Sequence, residues 1–579
     1  MDFKLHNPLK NEIADILLSA LSSLDITADK KEIYNQLGLP PKENMGEIAF
    51  PCFQYAKALK DSPANIANKI QEKIKKNNLV IEAKSFGPYL NFYINSVELA
   101  KMIDPQIIFN QNIIEQSEKT MIEYSQPNTH KELHVGHMRN LCLGDAIVKL
   151  YRYVGIETIS TTFPGDVGTH VAKCLWYYKN INKELPPKNR KGAWLGQLYS
   201  KANLYLEEIK ETEQFSEVKS EMTTILKQIE AGNGEYFELW KETRQWSVEL
   251  MQNIYDWTGT KFDQWYWESD VDASSVKYIK SLYEQDKLTK DQGAIGMNLE
   301  DDKLGFCLLL KSDGTGLYAT KDVELARKKF EDFNIEKNIY VVDNRQSLHF
   351  KQVFKVLEKL GHKQAKNCYH LQYEMVELPD GAMSSRKGNI VPLQELIDQM
   401  QDTITKTHLT KYSEQWTSEK VSNTSKIIAE GAIKFGMTKV DSNKKIVFNM
   451  DEWLKLDGES GPYIQYVHAR INSILQKADY SFQINDFKKL DHELEKQILI
   501  KVIHFNDIIE NCVKQNKTHF LTGHLYETSK LFNSFYAQCK VINSDDPELE
   551  RSRLALCYLV KTSLNSGLAL LGITAPDEM

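Results

Sequence analysis

Two short segments of the chain carry side chains suited to chemistry on phosphate. The first, residues 134–137, reads HVGH and follows a strand-like run at 121–124 and a break at 127–129. Apolar residues at helical spacing come next, so the histidines lie where a strand hands over to a helix. In an open α/β sheet that place is the ligand crevice, and a helix N-terminus favours anions. Two imidazoles there can donate hydrogen bonds to a developing pentavalent phosphate.

Other readings of the first segment stay open at this point. His130, His134 and His137 could ligate a metal, although a helix interrupted at Gly136 fixes them poorly and no Cys or carboxylate completes a set. Histidines on a surface without a role are the common alternative, and HxGH is only moderately specific. The sequence contains no GxxxxGK[ST], so a P-loop enzyme is unsupported.

The second segment, residues 382–391, reads AMSSRKGNIV and combines hydroxyls with cations. Its side chains could grip a triphosphate and stabilise a leaving pyrophosphate. Taken alone, the segment is a polar surface turn. The second segment becomes informative because it occurs together with the first one and follows it along the chain.

The pattern of apolar and polar residues along the chain predicts the elements that position these segments. Residues 1–105 mix helical patterns with strand-like runs, which predicts a small α+β domain. Between 106 and 391 apolar strands alternate with helices, which favours a Rossmann-type parallel sheet, interrupted by a polar helical insertion at about 179–268. Helices at 392–450 connect this α/β domain to an all-α bundle at 451–579.

Composition bounds the class of protein. The chain has 579 residues, a net charge of −7 and 42% hydrophobic residues, so it can bury large cores. Its 28 glycines and 16 prolines are too few for a collagen-like or Pro-rich disordered chain. The acidic balance argues against a protein that coats nucleic acid. Eight cysteines without a CxxC pair, no long apolar run and no basic leader predict a reduced, cytoplasmic protein without a membrane span.

The ordered pair resembles the HIGH and KMSKS signatures of class I aminoacyl-tRNA synthetases. Further segments resemble the arginyl-tRNA synthetase family, and together they cover essentially the whole chain in family order. They are residues 46–51 (GEIAFP), 86–92 (FGPYLNF), 122–128 (IEYSQPN), 165–168 (GDVG), 314–322 (GTGLYATKD), 346–350 (QSLHF), 383–389 (MSSRKGN), 461–470 (GPYIQYVHAR) and 567–573 (GLALLGI).

The resemblance implies an arginine–tRNA ligase that serves protein synthesis. Arginine's carboxylate attacks the α-phosphate of ATP, and the adenylate then acylates the terminal adenosine of tRNA(Arg). Mg²⁺ accompanies ATP, no zinc is expected, and the expected state is a monomer. Residues 1–105 are expected to contact the tRNA elbow and D-loop, 392–450 the stem, and 451–579 the anticodon.

The resemblance also assigns roles to single residues. The predicted catalytic residues are Lys131, His134, His137, Arg386 and Lys387. The predicted ATP contacts are His134, Gly136, His137, Asp166, Gly168, Met383, Ser384 and Ser385. The predicted arginine contacts are Glu123, Ser125, Asn128, Tyr318, Asp322 and Gln346. Tyr463, Tyr466 and Arg470 are candidates for tRNA contact, with core packing as the alternative for the tyrosines.

The sequence departs from the generic signatures at several positions. Ala382 and Ser385 stand where the second signature has lysines, and we expect Lys131, three residues before His134, to compensate. His170 stands where related enzymes often carry Gln. The alternatives are a small-molecule nucleotidylyltransferase, another class I synthetase, and a synthetase-like tRNA-binding protein without catalysis.

Overall fold

A small antiparallel sheet flanked by helices forms the N-terminal part of the chain. The computed structural model describes residues 1–42, 45–379, 381–382, 391–478, 482–483, 486–542 and 545–579. The sheet order is β2-β4-β3, while β1 pairs with β5 further along the chain. The elements are β1 (Asp2–Phe3), α1 (Pro8–Ser22), α2 (Lys30–Gln36), β2 (Ile48–Pro51), α3 (Ala56–Leu59), α4 (Pro63–Lys73), β3 (Val80–Phe86), β4 (Tyr89–Ile94), α5 (Ser96–Met102), α6 (Pro105–Ile108) and β5 (Ile114–Gln116).

A five-stranded parallel sheet is the centre of the molecule, in the order β13-β12-β6-β7-β8. Its strands are β6 (Thr120–Glu123), β7 (Thr158–Thr162), β8 (Gln264–Trp265), β12 (Lys337–Asp343) and β13 (Cys368–Tyr373). From β6 the chain first builds the sheet to one side and later returns to build the other. The topological switch point, where ligands bind in such sheets, therefore lies at the carboxyl ends of β6 and β12. The predicted α/β class is confirmed.

The helices that connect β6 to β7 and β7 to β8 include the predicted insertion. They are α7 (Val135–Val154), α8 (Thr169–Asn180), α9 (Lys191–Glu208), α10 (Glu213–Ala231) and α11 (Glu235–Thr258). The helices α9 to α11 pack on α8 around a separate apolar cluster that includes Val171, Trp176 and Ile225. The helical insertion ends at Thr258, earlier than the predicted 268, because the chain then pairs β8 with β7.

The structure contains an antiparallel meander that the sequence did not predict. Between α12 (Glu268–Glu284) and α13 (Tyr318–Phe333) lie β9 (Thr289–Asp291), β10 (Ala294–Leu299) and β11 (Gly305–Leu310). The helix α14 (Ser347–Lys359) then separates β12 from β13. The run at β11 is as apolar as a buried parallel strand, so its pattern did not reveal its direction.

A further three-stranded sheet links the α/β domain to the helices that follow. In it β14 (Val376–Leu378) pairs with β15 (Gly381–Ala382) and, in parallel, with β16 (Ile446–Val447). The region 392–450, predicted as helices, therefore also contributes a strand. The remaining elements are α15 (Leu393–Ile404), α16 (Ser418–Thr438), α17 (Met450–Trp453), α18 (Gly461–Lys477), α19 (Glu493–Ile503), α20 (Phe505–Gln515), α21 (His519–Gln538) and α22 (Pro547–Leu570).

The C-terminal helices α18, α19, α21 and α22 pack on one another as a bundle. Its centre is filled by buried aliphatic and aromatic side chains such as Leu525, Phe532 and Leu564. In the part of the chain that the structure describes, none of the helices is long and apolar enough to cross a bilayer.

The helix α7 approaches the central sheet very closely. A side chain at Gly144 would overlap the ring of Tyr124, the residue that follows β6. This contact holds the middle of α7 close to the carboxyl end of β6.

Candidate active site

The two histidines of the first signature form a close pair of tilted rings at the start of α7. His134 caps the helix, and its Nδ1 accepts a hydrogen bond from the Gly136 amide at 3.1 Å. The Nδ1 of His137 accepts from the His134 amide at 3.1 Å, and the ring centroids are 3.9 Å apart. Because each Nδ1 is an acceptor, a neutral ring must carry its proton on Nε2. Both rings therefore offer an Nε2–H donor beside a helix N-terminus.

Burial keeps both rings neutral at physiological pH. It lowers the pKa of His134 to about 4, with smaller contributions from the charges of Arg345 and Lys131. Burial likewise holds the pKa of His137 well below its ordinary value, helped by His134 and Lys131. The pair thus supplies two oriented donors that need no reorganisation when charge develops on a phosphate.

Lys131 is placed where its charge acts on the signature. Its Nζ lies 5.2 Å from the ring centroid of Tyr199 on α9. Its charge contributes to the lowered pKa values of His134, His137 and His170. Lys131 thus interacts with both the insertion helix α9 and the first signature.

Ser125 adopts a left-handed backbone conformation in the loop after β6, with φ of +55°. Its amide donates to Oδ1 of Asn140 at 2.6 Å, and its hydroxyl bonds to the hydroxyl of Tyr255 at 2.9 Å. Non-glycine residues in this conformation are strained and persist only where their surroundings hold them. The loop 125–130 is therefore shaped by α7 and α11.

His130 is also left-handed, with φ of +59°, and is fully buried. Its two ring nitrogens bond to the hydroxyls of Thr129 and Thr243, each at 2.9 Å. Burial lowers its pKa to about 3. A ring with both nitrogens engaged has no lone pair left for a metal. Among the described residues, the group of three side chains that could hold an ion is His6, Asp507 and Glu510, which join the N-terminal part to α20.

Asn128 lies against Gly165, with which it forms a parallel bridge. A side chain at Gly165 would collide with the amide oxygen of Asn128 and would come 3.0 Å from Oε2 of Glu268. Glu268 in turn pairs with Lys321 of α13 at 2.6 Å, and Lys321 reaches Asp272 at 2.8 Å. The absence of a side chain at Gly165 thus lets Asn128 and the buried Glu268 approach the same place.

Two of the predicted ATP contacts, Asp166 and Gly168, lie on the loop between β7 and α8. Asp166 is fully buried, and its carboxylate accepts from Arg244 at 2.7 Å and from the Ser269 hydroxyl at 2.7 Å. Gly168 precedes α8 with φ of +114°, a conformation that other residues rarely adopt. The Nε2 of His170 is buried and has no hydrogen-bond partner among the described residues. Burial lowers the pKa of His170 to about 3, so its ring is neutral too.

Two carboxylates lie where the sequence predicts a pocket for a cation. Glu123 ends β6 and forms a buried ion pair with Lys329 of α13. Asp322, in the second turn of α13, is 2.5 Å from Nε2 of His349. Both carboxylates lie close enough to the buried Tyr340 to raise the pKa of its hydroxyl further. Tyr318, at the first position of α13, exposes 74% of its surface. Glu123 therefore lies at the switch point, Asp322 lies on α13 near the same tyrosine, and Tyr318 is the first residue of that helix.

Gln346 lies between β12 and α14 and is exposed. Beside it, Arg345 forms a two-pronged pair with Asp343, with distances of 2.8 and 3.1 Å. The structure places Gln346 on the same segment as His349, three residues before the partner of Asp322.

The second signature lies largely outside the described residues. This holds for Met383, Ser384, Ser385, Arg386 and Lys387. The strand that precedes it, β14, is fixed by Arg139 of α7. The buried guanidinium donates to five main-chain carbonyls, those of Glu374 (2.5 Å), Met375 (3.4 Å), Asp441 (3.3 Å), Ser442 (3.3 Å) and Lys444 (2.8 Å).

The three candidate tRNA contacts form one cluster on α18. Arg470 donates to the hydroxyl of Tyr466 at 2.9 Å and to Oδ1 of Asn533 at 3.0 Å. Asn533 also donates to the hydroxyl of Tyr463 at 2.9 Å, and Tyr463 is buried. Tyr463 thus packs in the bundle, while Tyr466 and Arg470 are partly exposed.

Sequence reasoning missed three residues of this site, namely Arg139, Lys329 and His349. His349 lies within the quoted run 346–350 but was assigned no role. Lys329 follows Asp322 by seven residues, which is two helical turns, so helical periodicity could have placed it on the same face. Arg139 had no comparable signal.

Comparison with known proteins gives one consistent result. The catalytic-domain model described as tRNA synthetases class I (R) matches residues 103–450, the DALR anticodon binding domain matches 464–579, and the arginyl tRNA synthetase N-terminal domain matches 8–94. The arginine–tRNA ligase of Bdellovibrio bacteriovorus is 50% identical, covering 99% of this chain and 100% of the relative. That of Halothermothrix orenii is 31% identical, over 98% and 99%. The arginyl-tRNA synthetase structure from Thermus thermophilus superposes with a TM-score of 0.82 at 24% identity, covering 99% of this chain and 100% of that one.

The match to the catalytic-domain model, on a parallel sheet with an HxGH helix at its switch point, shows that the chain is a class I aminoacyl-tRNA synthetase. The three matched models cover the N-terminal part, the α/β domain and the C-terminal bundle. An arginine substrate also agrees with the carboxylates of Glu123 and Asp322, which suit a cation. The chain belongs to the arginyl-tRNA synthetase family, and its activity is the ligation of arginine to tRNA.

Proposed function

We propose that the chain forms arginyl-adenylate from L-arginine and ATP and passes arginine to the 3′-terminal adenosine of tRNA(Arg). In the first step a carboxylate oxygen of arginine attacks the α-phosphorus, and pyrophosphate leaves with the electrons of the broken P–O bond. In the second, the 2′-OH attacks the activated carbonyl carbon and AMP leaves. The observation that carries the proposal is that Glu123, at the carboxyl end of β6, and the two neutral imidazole donors at the start of α7 lie at the two ends of one strand-to-helix connection.

The first signature is the proposed ATP site. His134 and His137 donate from Nε2 to phosphate oxygens as negative charge develops. Gly136 lets the nucleotide approach the backbone, and Asp166 and Gly168 shape the neighbouring loop. Mg²⁺ that arrives with ATP is bound largely by the phosphates and neutralises part of their charge. On the second signature, the contacts proposed for pyrophosphate are Met383, Ser384, Ser385, Arg386 and Lys387.

The arginine site is proposed at the ends of β6 and α13. Glu123 and Asp322 accept hydrogen bonds from the guanidinium, a planar group that pairs well with carboxylates. Tyr318 covers the pocket from the start of α13. Ser125, Asn128 and Gln346 orient the α-amino and carboxylate groups of the substrate.

The tRNA is proposed to contact three parts of the chain. Residues 1–105 contact the elbow and D-loop, 392–450 contact the stem, and 451–579 contact the anticodon. In this last part, Tyr466 and Arg470 are exposed enough to contact bases. The matches to an anticodon binding domain and to a family N-terminal domain support this division. The proposal includes a monomer acting in the cytoplasm, and the eight free thiols agree with a reducing compartment.

ATP–pyrophosphate exchange with each amino acid in turn, with and without tRNA, tests the function. We expect arginine to be the one amino acid that supports exchange. As the family resemblance implies, this exchange should require tRNA. Exchange with another amino acid would overturn the substrate. No exchange under any condition would favour a synthetase-like tRNA-binding protein without catalysis.

Replacing Asp322 with asparagine tests the arginine site. A guanidinium that loses a charged acceptor loses about 1.5–3 kcal/mol, so the KM for arginine should rise about 10- to 100-fold while the KM for ATP stays unchanged. Steady-state aminoacylation measures both constants. Asp332→Asn, an exposed residue near the end of the same helix, is the matched control. An unchanged arginine KM in Asp322→Asn would remove this residue from the pocket.

Replacing Lys131 with alanine tests the compensation for the altered second signature. Loss of an ammonium beside the phosphates should reduce arginine-dependent exchange by about tenfold or more, a change of about 1.4 kcal/mol. Lys201→Ala, on the exposed face of α9, should leave exchange unchanged. Lys131 has no such role if its alanine variant exchanges at the wild-type rate.

A further inference from the structure

We propose that Lys329 keeps Glu123 ionised in the arginine pocket while offsetting its charge, so that two carboxylates are offered to one guanidinium with one net negative charge between them. Lys329 is thereby a positioning and specificity-determining residue. The inference rests on the proposed arginine site.

The contacts of Lys329 point into the pocket rather than to solvent. Its side chain is completely buried, and its Nζ is paired with Oε2 of Glu123. The ammonium lies 4.9 Å from the ring centroid of Tyr340 on β12 and 5.9 Å from that of Tyr266 after β8. The other carboxylate oxygen, Oε1, accepts only a longer bond from Gln126 at 3.2 Å. Oε1 is therefore the oxygen of Glu123 to which a substrate cation can donate a hydrogen bond.

The two charged residues of α13 share one face of the helix. Asp322 and Lys329 are two turns apart, so they point in the same direction. Glu123 reaches Lys329 from the end of β6, while Asp322 is held by His349 of α14. The formal charges of Glu123, Asp322 and Lys329 leave a single negative charge, which equals the single positive charge of a guanidinium.

A role in stability alone does not account for this arrangement. A buried ion pair gains little over well-packed apolar residues, because desolvation offsets the attraction. Here Glu123 lies at the carboxyl end of β6, at the switch point where such a sheet binds ligands. The pair therefore serves the site rather than the fold.

Without Lys329, Glu123 would face the aromatic hydroxyls of Tyr340 and Tyr266, the carboxylate of Asp322 and the amide of Gln126. Burial without a cation, next to a second carboxylate, raises the pKa of a carboxyl group and favours its protonated form. A protonated Glu123 offers a donor where the guanidinium also has donors. It would then no longer distinguish arginine from citrulline, whose urea oxygen accepts a hydrogen bond.

The test compares Lys329→Met with Lys329→Arg and, as matched control, with Lys328→Met on the neighbouring position of α13. We expect the arginine KM at pH 7 to rise about tenfold or more in Lys329→Met, with the ATP KM unchanged. This arginine KM should fall again as the pH is raised to about 9, where Glu123 regains its charge. Citrulline should become a better competitive inhibitor relative to arginine. Lys329→Arg should restore the wild-type values.

A double variant keeps the proposal falsifiable if Lys329→Met folds poorly. Glu123→Gln/Lys329→Met removes both charges, so it should unfold at a higher temperature than either single variant. It should bind arginine weakly at every pH, without the recovery at high pH. The proposal is overturned if Lys329→Met lowers only the unfolding temperature, or if the KM values for arginine and ATP rise together. If Asp322→Asn in the same series leaves the arginine KM unchanged, the pocket itself is misplaced, which is a separate failure.

Discussion

Replacing His134 with asparagine should lower arginine-dependent ATP–pyrophosphate exchange by about 10²- to 10³-fold while leaving the unfolding temperature nearly unchanged. Asparagine is a good helix cap and can accept the Gly136 amide as Nδ1 of His134 does. It lacks a donor at the place of Nε2. The variant therefore separates the capping role of the ring from its role toward phosphate.

Glutamine at the same position is the complementary variant. It can place a donor near Nε2 but offers no acceptor at Nδ1, so it should retain more exchange and unfold at a lower temperature than the asparagine variant. Equal rates in the two variants, or a wild-type rate in His134→Asn, would show that the Nε2–H donor does not act in the reaction.

The pH dependence of the wild-type rate gives an independent check. Because burial holds the pKa of His134 at about 4, the rate should show no change centred on the ordinary imidazole value of 6.5. Unfolded histidine takes up a proton near 6.5 while the folded ring stays neutral to about 4. The free energy of unfolding should therefore decrease as the pH is lowered through this window.

The local features of the site could be predicted from sequence. The spacing of residues 134–137 implies a strand-to-helix boundary, and the structure has a capped helix start there. Such predictions depend on residues within one turn, which the sequence displays directly. Asp322, by contrast, was assigned by the family resemblance and not by local spacing, and it lies with Tyr318 in the first turns of α13.

The partners of the buried charges could not be predicted, since they are separated by long stretches of chain. Glu123 and Lys329 are 206 residues apart, and Arg139 reaches carbonyls more than 230 residues away. Asp166 illustrates the same point. The resemblance placed it among the ATP contacts, but the sequence did not indicate that its carboxylate accepts hydrogen bonds from Arg244 and Ser269. The direction of the strands β9 to β11 also depends on distant pairing.

Arg139 carries the largest expected effect on stability. Its guanidinium is buried and is held by five carbonyls from two segments, 374–375 and 441–444, that flank β14 and β16. Burial lowers its pKa to about 10, so it remains charged at neutral pH. Arg139→Met keeps much of the side-chain volume but leaves these carbonyls without their donor. We expect the free energy of unfolding to fall by about 3 kcal/mol or more.

The same substitution should also weaken catalysis, because Arg139 connects the first-signature helix with the strand that leads to residues 383–390. The KM for ATP should rise more than the KM for arginine, since Asp322 and Lys329 lie on a different element. Arg152→Met is the matched control. It lies on the same helix, its side chain is 44% exposed, and its pair with Asp263 should contribute less than about 1 kcal/mol. If chemical denaturation gives Arg139→Met and Arg152→Met the same stability, the five carbonyl bonds do not tie α7 to β14.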